Sequence, residues 1–192
     1  MKILAPLIFL VTLSLTNFAH AKSQCEVNKN DFEENAKLSF SEFDQTGSKP
    51  KTSRVLGELK CYLSAAEVSE RYLSMNLNLT TRERAIITWH MAQFLASAGK
   101  EKEAAPLMLA TLTGKEIEAS ADNFDWNSYV IGSWAFIQKN RSLLEQSLAN
   151  LINKGGQRNT MNSKVLLRFV NCFNSSYDES FANTACDKST KP

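Results

Sequence analysis

The chain has 192 residues, with 22 Lys and Arg against 20 Asp and Glu, so its two charge signs nearly balance. No basic run exceeds two or three residues, which argues against nucleic acid and against anionic membrane surfaces as partners. The length suits one hydrophobic core better than two.

Met1 and Lys2 give a short basic start, residues 3–18 are mostly apolar, and Ala19-His20-Ala21 follows as an A-x-A cleavage signature. This three-part pattern predicts a secretory signal peptide over residues 1–21. The apolar run is too short and too interrupted to read as a membrane span. Cleavage leaves residues 22–192, expected to be a single helical domain that is periplasmic or secreted and not inserted in a membrane. Cys25 follows Ser23-Gln24, which is not a lipid-attachment sequence. Cys25, Cys61, Cys172 and Cys186 all lie beyond the cleavage point, and an even count in an exported chain predicts disulfides. Of the three pairings, Cys25–Cys61 and Cys172–Cys186 join chain neighbours and would staple each terminus to the body.

Residues 30–44 read as a helix, capped by Asn30 with Glu33 at the third position and striped by Phe32, Ala36, Phe40 and Phe43. Gly and Pro break the chain over residues 45–52. Residues 53–60 predict a short helix and residues 62–75 a longer one. Thr80 and Glu83 form a capping box that opens the central helix, whose apolar stripe runs through Ile87, Met91, Phe94, Leu95 and Ala98. Gly99 suits a left-handed helix end. A second helix follows, with Ala104, Leu107, Met108 and Thr111 inward and Gly114 as its stop. Pro106 inside it predicts a kink or a delayed start. After a connection over residues 115–125, Asp125 caps a helix over 126–138, and 141–154 forms the next before Gly155-Gly156. A final helix is expected over 162–173, then a cysteine-stapled tail in which Tyr177 and Phe181 cover the last open face.

The spacing Ala92, Gly99, Ala104, Met108 resembles a tetratricopeptide repeat. Gly132 takes the same small-residue place forty positions after Ala92, against the usual 34. The resemblance implies an all-α fold of about three stacked antiparallel hairpins forming an α-solenoid. An irregular helical bundle is the alternative. The pieces Phe43-Asp44-Gln45, Cys61-Tyr62, Trp89-His90 and Asp125-Trp126-Asn127 also look similar to exported bacterial proteins with tetratricopeptide-like helices and no assigned activity. That likeness implies location and fold only.

His90 is the only histidine beyond the leader. A histidine base needs a positioned partner, and no nucleophile motif stands beside it. Glu33/Glu34 and Glu101/Glu103 sit at helix N-termini, where the dipole favours them, and Glu67/Glu70 lie on a solvated face. No C-x-x-C or histidine pair suggests a metal, and no cofactor is expected. In a tetratricopeptide-like array, Trp89, His90, Gln93, Trp126, Tyr129 and Ser133 would line the concave groove. Packing between hairpins is the equal alternative for Trp89 and Trp126 and the preferred reading for Trp134. The sequence therefore predicts a non-catalytic module that holds a peptide or partner protein. The alternatives are a small envelope hydrolase using His90 or Glu67/Glu70, and an inhibitor or immunity-type binder using the 115–125 connection.

Overall fold

The computed structural model describes residues 24–112 and 123–187. The predicted leader, Gly114 and most of the 115–125 connection lie outside the described residues. Among those described, the regular elements are all helical, with no strand. They are α1 (Lys29–Asn35), a π turn (Ser41–Gln45), α2 (Ser53–Glu58), α3 (Tyr62–Met75), α4 (Thr81–Ser97) and α5 (Glu101–Ala110). Then come α6 (Trp126–Ile137), α7 (Arg141–Lys154), α8 (Gln157–Asn171), α9 (Tyr177–Ala182) and a 3-10 turn (Thr184–Asp187). Among the described residues no helix is long and apolar enough to cross a membrane. Both expected disulfides are present, Cys25–Cys61 and Cys172–Cys186.

The helix starts follow from local chemistry. Thr80 accepts from the Glu83 N–H, while the Glu83 carboxylate accepts from Thr80 N at 2.9 Å. Asp125 Oδ1 accepts from Ser128 N at 3.0 Å to open α6. The turns after α2, α4 and α6 share one geometry, each closed by a bond from the residue after the left-handed position back five residues, as in Lys100 N to Leu95 O at 2.8 Å. Gly99 fills that left-handed position at φ 74°, but Lys60 and Lys139 fill it at φ 58° and 54°. Lysine is strained there, and Lys139 gains in return. Its ammonium donates to Phe173 O and Ser175 O and lies 4.4 Å from the centre of the Phe136 ring.

Three details differ from the sequence reading. Residues 30–44 are not one helix. Asn28, not Asn30, caps α1 in a capping box with Asp31, and the helix ends at Asn35. Buried Asn35 donates to Lys51 O at 2.8 Å, and Ser39 opens a fresh turn by exchanging hydrogen bonds with Glu42. Second, α8 begins at Gln157, five residues earlier than expected, because Gly155 and Gly156 both take positive φ and reverse the chain at once. Its first turn is polar, so the apolar stripe understates its length. Third, α5 runs from Glu101 through Pro106 with no delayed start.

Helices adjacent in sequence from α3 to α8 pack on one another, α8 returns to α6, and α9 reaches α4. The apolar interior forms two clusters. One gathers Phe43, Leu56, Ala65, Val68, Tyr72 and Ile87. Phe43 stacks on Tyr72 with ring centres 3.9 Å apart. The other runs from Trp89 and Ala92 on α4 through Met108 and Phe136 to Leu166, Phe169 and Tyr177. Gly132 marks a close helix approach. A Cβ placed there would meet Leu166 Cδ1 at 2.5 Å and Ser147 Cβ at 3.0 Å. Helix α4 contributes to both clusters, Ile87 to one and Trp89 to the other, and its remaining face borders a cleft.

Candidate functional site

That cleft has a volume of about 690 Å³ and is walled by α2, α4, the start of α6, α8 and α9. This is within the size range of ordinary ligand sites. From α4 come Trp89, His90 and Gln93, spaced one and then three residues apart so that they share a helical face. From α6 come Trp126 and Tyr129. Asn159 of α8, fully buried, fixes the entry to α6 by accepting from Asp125 N at 2.9 Å and donating to Asn123 O at 3.0 Å.

The aromatic groups form one continuous wall. The Trp89 ring centre lies 5.6 Å from that of Trp126, edge to face, and 5.3 Å from that of Tyr129. Phe124 extends the wall, and the Arg158 guanidinium lies 4.2 Å above its ring. Trp89 is only 2% exposed, so it forms a floor with its back in the core. Trp126 is half-buried and donates through Nε1 to Thr111 O at 2.8 Å. Gln93 donates to the phenol oxygens of Tyr177 at 3.2 Å and Tyr129 at 3.5 Å. Burial raises the pKa of both phenols above the ordinary tyrosine value, so they remain neutral donors and acceptors.

One end of the cleft is polar. Asp44, at the end of the π turn, is 1% exposed, and its Oδ1 lies 2.8 Å from His90 Nδ1. Gln45 Nε2 donates to its other oxygen. Arg54 of α2 lines the same cleft and donates through Nε to the Asp44 main-chain oxygen at 2.9 Å. An ionised carboxylate can only accept, so His90 Nδ1 is the donor in this pair, and in the neutral tautomer that fits it Nε2 is a lone pair. On another side, Asp178 of α9 accepts from the Tyr62 hydroxyl and lies 3.5 Å from Lys60 Nζ. Burial, then the Asp178 carboxylate, holds the Tyr62 phenol well above the usual tyrosine range.

Five of the six residues expected in a groove therefore line one cleft: Trp89, His90, Gln93, Trp126 and Tyr129. Ser133 does not. It is fully buried and donates to Tyr129 O at 3.0 Å, one turn back along α6. Ser133, four positions after Tyr129, follows the same stripe but has no surface left to offer a ligand. Glu67 and Glu70 are exposed on α3 and do not line the cleft. Among the described residues no three His, Cys, Asp or Glu side chains come together as a metal site.

Sequence reasoning gave no site role to Asp44, Arg54, Tyr62 or Asp178. Asp44 is 46 positions from His90, and Asp178 is 116 from Tyr62, so no local spacing pairs them. Comparison with protein families, with characterised proteins and with solved structures finds no match to this chain.

Proposed function

We propose that the protein is an exported interaction module that captures an extended peptide segment of a partner in the aromatic cleft. The observation that carries this reading is the joined Trp89–Trp126–Tyr129 wall beside a few fixed polar groups. Trp126 is the ring of this wall that keeps surface for a ligand to cover, with Trp89 and Tyr129 as its buried backing. Aromatic groups buried on binding usually supply most of the affinity, and placed polar groups set orientation. The two disulfides fit an oxidising compartment outside the cytosol, where the leader would direct the chain. The order of helices is compatible with tetratricopeptide-like hairpins α4–α5 and α6–α7, whose first helices would face the ligand.

Trp126 gives the cleaner test, because Trp89 is also core and its removal would leave a cavity costing about 3–5 kcal/mol. Selection from a displayed short-peptide library should enrich sequences with the oxidised wild-type protein. Trp126→Ala should weaken the selected peptides at least about tenfold while the circular dichroism spectrum stays unchanged. Failure to enrich any sequence, or equal affinity for the variant, removes the reading.

A further inference from the structure

We infer that the polar end of the cleft is a hydrolytic centre acting on an acyl bond, with His90 as general base, Asp44 as its positioning residue and Arg54 as the anion stabiliser. The inference goes beyond capture while resting on it, because it takes the same cleft as the place where substrate lies. It also supplies what the sequence lacked, a partner for the lone histidine.

The chemistry is set by three contacts. The buried Asp44 carboxylate has both oxygens engaged, one by His90 Nδ1 at 2.8 Å and the other by Gln45. This locks the imidazole orientation and its tautomer. His90 remains 22% exposed at the cleft wall, and among the described residues nothing bonds its Nε2. Arg54 spends only Nε on the Asp44 carbonyl, and among the described residues no carboxylate pairs with its other nitrogens. Base and cation are thus anchored to the same residue. Lys60 is engaged by Asp178, and Arg158 lies over Phe124, so Arg54 is the cation best placed to meet new negative charge. Glu58, one turn further along α2, is exposed.

Water supplies the nucleophile. Its oxygen attacks the acyl carbon as one proton passes to His90 Nε2, and the carbonyl electrons move onto the oxyanion facing Arg54. Collapse of the tetrahedral species breaks the carbon–oxygen or carbon–nitrogen bond, and the imidazolium returns the proton to the leaving group. The products are a carboxylic acid and an alcohol or amine, with no redox change. The Trp89 and Trp126 wall favours an aromatic or apolar acyl substituent.

The probes are N-acetyl-tryptophan methyl ester and N-acetyl-tryptophan anilide, offered to the oxidised full chain. Cleavage of the ester alone supports an esterase, and cleavage of both supports an amidase. His90→Ala should lose at least about a hundredfold in kcat, and added imidazole should restore part of it, which a purely structural histidine would not show. Asp44→Asn should lower kcat with KM unchanged. Should Asp44→Asn fail to fold, the imidazole rescue still decides. No cleavage of either probe by a protein that binds its selected peptides overturns the hydrolytic centre and leaves capture standing. His90→Ala turning over as fast as wild type also overturns it.

Discussion

At the scale of single residues, the cleft is held by polar side chains that reach across the chain rather than along it. Gln93 is the clearest case, since one amide serves two phenols from different helices, Tyr129 and Tyr177. Burial raises the folded-state pKa of both phenols above the ordinary 10.0. A group whose pKa is raised by folding contributes its stability in full below the unfolded value and loses it as pH rises toward the folded one. Stability should therefore be level up to about pH 10, then fall by about 1.4 kcal/mol per pH unit for each phenol. Urea titrations on either side of that pH, with phenolate absorbance recorded on unfolding, check the window. Phenolate signal from the folded protein at the same pH as free tyrosine would show that these rings are not sealed.

At the scale of elements, two helix starts were legible, because a cap is a contact within three residues. Thr80 with Glu83 and Asp125 ahead of α6 were both readable for that reason. The stretch from Asn28 to Gln45 was not. Its phenylalanines keep helical spacing throughout, yet Asn35 is drawn off to the Lys51 carbonyl and Ser39 starts a second turn. That break sets Phe43 on Tyr72 and brings Asp44 to His90. An uninterrupted helix would pair different residues with α3 and α4. Ser39 is exposed, so Ser39→Ala removes little but the cap. It should lower stability by about 1 kcal/mol and loosen the Asp44–His90 contact. Denaturant midpoints, with the histidine ring resonances followed by NMR, check both effects. Unchanged ring resonances would show that the π turn holds Asp44 without help from Ser39.

At the scale of the whole molecule, the all-helical class and the disulfide pairing were readable from periodicity and from cysteine order. The convergence of distant segments on one cleft was not, because it depends on how far each helix rotates against the next. His90 was named without Asp44 and Trp126 without Phe124, and Ser133 was placed in the groove although neighbouring helices bury it. The disulfides bear directly on that convergence. Cys61 lies between Lys60 and Tyr62 at the cleft edge, and Cys172–Cys186 brackets the segment carrying Tyr177, Asp178 and Phe181. With loops of 36 and 14 residues, each bridge contributes about 3–4 kcal/mol in the chain-entropy model. Reduction should lower the melting temperature and weaken peptide binding together. Calorimetry and binding with and without a thiol reductant check this, and intact affinity in the reduced protein would separate the bridges from the site.

The contact of Tyr62 with Asp178 has a consequence in time as well as in space. Walls contributed by residues 54 and 181 cannot face one another until the chain has been made through α9 and that helix has docked. A chain stopped short of α9 would lack one wall of the cleft, so the proposed recognition would switch on only once that helix is in place.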